Sequence, residues 1–169
     1  MKNILQRIYF VISIIMIAAC IVFQLSVFRV QVPTGSMLNT IQLNQQLLIL
    51  KDSKVQQYHR GDIVVFKKDN TILIKRLIGL PGETVRIENG TVFINDKLLF
   101  EDYLSSNSTN YDGTFDVPEG KYLFLGDNRA ESVDARRWST PYVNEDDILG
   151  KAIYYIYPKV IKIESVVYE

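Results

Sequence analysis

The chain has 169 residues, 47% of them hydrophobic, and its 19 basic and 19 acidic side chains cancel to zero net charge. That balance removes any whole-protein electrostatic case for nucleic-acid binding, and the length suits one domain with an appendage. A single cysteine, Cys20, excludes an intramolecular disulfide or a thiolate zinc cluster, and a single histidine, His59, excludes a paired-histidine metal site.

Residues 8–28, from Ile8 to Phe28, carry no charge. As a helix this run spans roughly 31 Å, about the thickness of a bilayer's hydrocarbon core. Lys2, Arg7 and the α-amino group precede it and Arg29 follows. The positive-inside rule then puts residues 1–7 in the cytoplasm and residues 29–169 outside, with 8–28 a single transmembrane signal-anchor in the cell (plasma) membrane. A cleaved secretory signal would have a shorter apolar core. Ile17-Ala18-Ala19-Cys20 looks like a lipoprotein processing box, but the apolar run continues past the cysteine, which favours a retained anchor over lipidation of Cys20.

Val32-Pro33-Thr34-Gly35-Ser36-Met37 follows the anchor. Proline fixes φ and glycine relaxes it, so the two bracket a bend that can hold Ser36 on a stiff, exposed backbone. Serine becomes a nucleophile only with a base to take its proton. On this stretch alone an ordinary turn explains the residues as well.

Short strands and turns are expected beyond it. Leu47–Leu50 has strand length, Arg60-Gly61-Asp62 is a turn signal, and Ile63–Phe66 is β-branched and aromatic. Thr71 to Leu80 reads as a strand that stops at Pro81-Gly82. Asn89-Gly90, between Val85–Ile87 and Val92–Ile94, is a hairpin signal, because a type I′ turn needs positive φ at both central positions. Residues 101–113 form a polar loop, Tyr122–Leu125 a strand, and Ile153–Tyr157 a last strand before Pro158. The chain therefore reads as mainly β, behind one N-terminal helix.

Two stretches carry chemistry. In an extended Thr71–Leu80 segment Leu73, Lys75 and Leu77 share one face, so Lys75 is partly desolvated and its amine is biased toward the neutral form. Such a lysine can act as a general base; it can also snorkel from an edge strand or pair with an acid. Gly126 to Arg137 packs three acids, three arginines and Ser132 behind a strand. Asp134 with Arg136, and Asp127 with an arginine, can lock this loop by bidentate hydrogen bonds and hold Ser132 as a partner for a nearby amine.

Pro33-Thr34-Gly35-Ser36-Met37, Gly61-Asp62-Ile63-Val64, Lys75-Arg76-Leu77-Ile78-Gly79-Leu80-Pro81-Gly82-Glu83, and Gly126-Asp127-Asn128-Arg129 through Ser132, Asp134 and Arg136 resemble, in order, the boxes of type I signal peptidases. The resemblance runs from about Val30 to Pro158. It implies a membrane-anchored, β-rich, Ser/Lys-dyad endopeptidase that removes signal peptides from exported preproteins with small residues at −1 and −3. Ser36 would be the nucleophile, Lys75 the general base, and the Ser36 N–H and Thr34 hydroxyl the oxyanion hole. Ser132 would orient the Lys75 amine, Asp127, Arg76, Asp134 and Arg136 would be supporting ion pairs, and Met37 would lie beside the site near the membrane surface. No metal or cofactor is implied. Asn39 and Ala135 depart from the family, which often has proline and serine there, and the short soluble part suits compact forms lacking a large inserted β-subdomain.

Three other readings compete. One is a Ser36/His59/Asp triad. Another is a non-catalytic membrane-anchored assembly factor or chaperone on the same scaffold. The third is a peptidase dedicated to one surface-structure substrate.

Overall fold

The computed structural model describes residues 2–104, 109–164, 166 and 168. Met1, positions 105–108 of the expected polar loop, and positions 165, 167 and 169 lie outside the described residues. A first helix, α1 (Lys2–Ser26), is followed by β1 (Val27–Gln31) with no residue between them. Its 23-residue apolar stretch Ile4–Ser26 buries nothing against the rest of the chain. Its two serines bond back within the helix: the Ser13 hydroxyl donates to the Tyr9 carbonyl and the Ser26 hydroxyl to that of Val22.

The helix ends two residues short of the expected Phe28. Val27 and Phe28 pair instead with Leu50 and Ile49 of the next strand. An apolar count cannot separate a helix from a strand that follows it directly when both are hydrophobic.

The remaining strands are β2 (Gln46–Lys51), β3 (Ile63–Lys68), β4 (Thr71–Gly79), β5 (Thr84–Glu88), β6 (Thr91–Ile94), β7 (Lys97–Leu98), β8 (Gly113–Asp116), β9 (Lys121–Leu125), β10 (Tyr142–Asn144), β11 (Ile148–Tyr157) and β12 (Ile161–Lys162). One antiparallel sheet runs β1-β2-β11-β3-β4-β9-β10, with β12 paired to β11; a smaller one runs β7-β6-β5-β8. The compact chain thus still carries a second sheet. Asn89 and Gly90 turn it with φ of 48° and 78°, both positive as a type I′ hairpin requires. The last long strand begins at Ile148 rather than Ile153, because Ile148 and Gly150 already pair with Phe66 and Val65.

Side-chain alternation on β3 divides the large sheet into two apolar layers. Ile63 and Val65 pack with Leu47, Ile49 and Ile74 on one face, roofed by Val32, Met37 and Ile41. Val64 and Phe66 pack with Leu77 and Phe124 on the other, where the Phe66 and Phe124 rings stack 4.4 Å apart. A third layer, holding Ile78 and Leu123 against Val85, Ile87 and Val92, joins the two sheets. The Ser36 turn lies over the first face, and its anchors belong to that core.

Candidate active site

Backbone bonds fix the approach to Ser36. Val32 is buried, its N–H donates to the Gln45 carbonyl (3.0 Å), and its own carbonyl accepts from the Asn44 N–H (2.8 Å). Thr34 is extended (φ −124°, ψ 157°), and Gly35–Met37 form a single 3-10 turn closed by the Leu38 N–H on the Gly35 carbonyl (3.1 Å). Met37 is wholly buried in the core and lies beside Ser36 at the groove. With Val32 before it and Met37 after it both buried, Ser36 is left half-exposed on a turn pinned at both ends.

Glycine at 35 is not held in a left-handed φ, and an added Cβ would meet only the Leu38 side chain, 2.8 Å from its Cδ1. Asn39 has φ of 74°, a left-handed conformation that proline's ring forbids, so its departure from the family pattern is built into the turn. Ala135, the other departure, is buried in the layer between the sheets.

Lys75 occupies the middle of β4, opposite Val64 of β3, and is 3% exposed. Its Nζ lies 2.5 Å from Ser36 Oγ. Burial lowers the amine from 10.5 to about 8; Asp134 and Asp127 pull it back up and Arg136 pushes it further down. A sizeable neutral fraction therefore exists near neutral pH.

Arg76, next along the strand, is buried as well. It grips Asp127 with two bonds, Nε to Oδ1 (2.9 Å) and a terminal nitrogen to Oδ2 (2.6 Å), and donates a third to the Gly61 carbonyl (2.8 Å). Burial works against its charge, but Asp127 outweighs burial and raises the guanidinium further. Asp134 takes two bonds from Arg136 (2.8 and 2.7 Å) and one from the Gly126 N–H (2.9 Å). Burial pushes the Asp134 carboxyl up; these donors more than offset it and leave it ionised.

The Ser132 hydroxyl is buried beside Gly126, near enough to the Asp134 carboxylate to help lower it, and it is not hydrogen-bonded to Lys75. The short Gly126–Ser132 turn sets it against backbone, on the Gly126 side. A Cβ at Gly126 would overlap both Ser132 Oγ and the Ser36 carbonyl oxygen, so that turn rests directly on the Ser36 turn.

Several contacts escaped the sequence. The Asn128 N–H donates to the Ser36 carbonyl and its side-chain Nδ2 to the Gly35 carbonyl, each at 3.0 Å. Arg129 pairs with Glu101 in a nearly fully buried bridge, and the Arg76 guanidinium stacks 3.8 Å from the Tyr103 ring. Asn128 and Arg129 lay in the dense charged stretch; Glu101 and Tyr103 gave no signal inside a polar loop.

A groove of about 550 Å³ opens beside Ser36 and Lys75, lined by Phe28–Thr34, Ser36, Met37 and Thr71–Lys75. Consecutive residues line it on both sides, which a strand face alone cannot do, because alternate side chains point away. Strand edges are what it presents. β1 ends its sheet, and β4 pairs with β9 only from Arg76 onward, so Thr71–Lys75 leave one edge open. His59 instead lines a separate shallow cleft with Leu50, Gln57, Lys151 and Ile153, and no triad with Ser36 is assembled.

A family profile described as signal peptidase, peptidase S26, matches residues 4–157. The chain is 38% identical over 162 residues to Signal peptidase I U of Bacillus subtilis (strain 168), covering 88% of this chain and 86% of that one. It is 38% identical over 136 residues to Probable signal peptidase I-2 of Synechocystis sp., covering 75% of this chain and 62% of that protein's length. The crystal structure of a signal peptidase I from Enterococcus faecalis V583 superposes with a TM-score of 0.52 at 37% identity, over 58% of this chain and 98% of that one. The chain belongs to the signal peptidase family, peptidase S26, whose members are serine endopeptidases that remove signal peptides.

Proposed function

We propose that Ser36 is the nucleophile and Lys75 the general base of this chain's signal-peptide cleavage. The observation that carries the assignment is the 2.5 Å approach of a buried amine, lowered to about 8, to the Ser36 hydroxyl. Neutral Lys75 Nζ takes the Ser36 proton as Oγ attacks the carbonyl carbon before the scissile bond. The Ser36 N–H, which no acceptor claims among the described residues, and the Thr34 hydroxyl, unused as a helix cap, receive the oxyanion. The Lys75 ammonium then protonates the leaving amine as the C–N bond breaks. In the second half, Lys75 takes a proton from water, the hydroxide adds to the ester, and Ser36 leaves with that proton.

The two open strand edges favour a substrate bound as an added extended strand between β1 and β4. The mainly apolar lining beside Ser36 is compatible with the small residues at −1 and −3 that the family resemblance implies. α1 anchors the chain in the cell membrane, with its N-terminus cytoplasmic and the site outside, in the orientation its flanking charges favour. A non-catalytic scaffold has no need of a desolvated lysine against a serine. The test is cleavage, in liposomes, of a preprotein with alanine at −1 and −3. Folded Ser36→Ala and Lys75→Ala should both be inactive; cleavage surviving Lys75→Ala would sink the dyad.

A further inference from the structure

We infer that Asn128 is a positioning residue for the oxyanion hole, holding the Ser36 N–H in its working direction. The inference rests on the dyad reading above. The Gly35 carbonyl and the Ser36 N–H belong to one peptide group, which is planar and trans, so the two point in opposite directions from the same plate. Fixing the carbonyl fixes the N–H. Two donors hold that carbonyl: the Leu38 N–H at 3.1 Å and Asn128 Nδ2 at 3.0 Å. The Leu38 bond belongs to the turn itself and moves with it. The Asn128 bond comes from another strand's loop and ties the plate to the body of the sheet.

The chemistry leaves no ambiguity about which end of the amide faces Gly35. A backbone carbonyl only accepts, so the NH₂ group must be the end that meets it. Asn128 is itself held. It is 8% exposed, its N–H donates to the Ser36 carbonyl, and its own carbonyl accepts from the Ser132 N–H (2.9 Å). The side chain therefore clamps the peptide before Ser36 while the main chain clamps the one after it. A bond into the Gly35 carbonyl also polarises the peptide and strengthens its N–H as a donor. Asn128 makes no hydrogen bond to Ser36 Oγ or Lys75, so its effect belongs to the charge that develops in the transition state.

The test uses the full chain in detergent with a preprotein peptide carrying alanine at −1 and −3. Asn128→Ala removes the donor; Asn128→Asp keeps the shape but turns a carboxylate oxygen toward the Gly35 carbonyl. The expected result is a fall in kcat of about 10- to 100-fold for Asn128→Ala, less than the loss from deleting a donor outright, and at least as large a fall for Asn128→Asp. For Asn128→Ala, peptide Kd, measured on a Ser36→Ala background, should stay within about twofold, and the pH midpoint of the residual activity should not move. A matching loss in Kd, a moved midpoint or unchanged kcat would overturn the assignment. So would failure of both variants to fold, since the residue would then be a determinant of the fold. Ser36→Ala and Lys75→Ala run beside them: activity in either sinks the dyad, whereas both inactive with Asn128→Ala fully active sinks this inference alone.

Discussion

Lys75 and Arg76 are neighbours on one strand, both almost wholly buried, and their charges meet opposite fates. Burial brings the Lys75 amine down to about 8, whereas the two-pronged Asp127 carboxylate keeps Arg76 charged. Burial alone therefore does not make a base. The difference is the partner: Arg76 has a carboxylate in contact, while Lys75 has a hydroxyl.

The first consequence is a pH profile. In the proposed dyad Lys75 works unprotonated, so kcat/KM should climb as pH rises toward about 8 and level off above it. Lys75→Arg should be inactive throughout, because a guanidinium keeps its proton in this range. Initial rates across pH 6 to 10, with folding checked at each end, make the measurement.

A second consequence concerns stability. Between pH about 8 and 10.5 the unfolded chain holds the Lys75 proton and the folded one has lost it, so stability rises with pH across that window. Below it both states are protonated, and the fold carries a buried ammonium at a cost of about 3 kcal/mol. Lys75→Met should therefore be inactive yet more stable at pH 7, by about 1–3 kcal/mol, with the advantage shrinking toward pH 10.5. Urea melts of both proteins at pH 7 and pH 10 test the sign.

Asp127→Ala should be far more damaging. It strands a buried guanidinium, a loss of about 3–5 kcal/mol. Asp127 also holds the Lys75 amine up, so whatever activity survives in Asp127→Asn should have its midpoint moved to lower pH. Thermal melting and the pH profile read the two effects separately.

Gly126→Ala should reduce cleavage strongly, because its methyl group would meet the Ser36 carbonyl oxygen and the Ser132 hydroxyl. Gly120→Ala is the control: its Cβ would meet nothing within 4 Å, although φ of 69° adds local strain. Side-by-side kcat and Tm values separate displacement of the nucleophile's turn from general destabilisation.

What the sequence made legible was local. β4 announced itself through its β-branched run and its misplaced lysine, and the Asn89-Gly90 turn through the φ it demands. β1 was hidden by its composition, being apolar where the helix is apolar. β7, β10 and β12 are two or three residues long and too short to show any period. Within the site, Asp134–Arg136 spans two residues and could be read from spacing, and Asp127 was legible as needing an arginine. That the arginine is Arg76 came only through the family resemblance, and that Glu101 serves Arg129 depends on chain closure over distances no local pattern records. Ser132 was misplaced for the same reason: a motif gives the residue but not the direction of its hydroxyl.

The direct passage from α1 into β1 sets a ruler. Ten positions separate Ser26, the last helical residue, from Ser36, and five of them are zipped to β2 while Val32 is tied at both its N–H and its carbonyl. The serine is thus mounted on a bracket instead of a leash. On the proposed reading, with α1 as anchor and Ser36 as nucleophile, this short tether would limit how far from the end of its apolar helix a preprotein is cut.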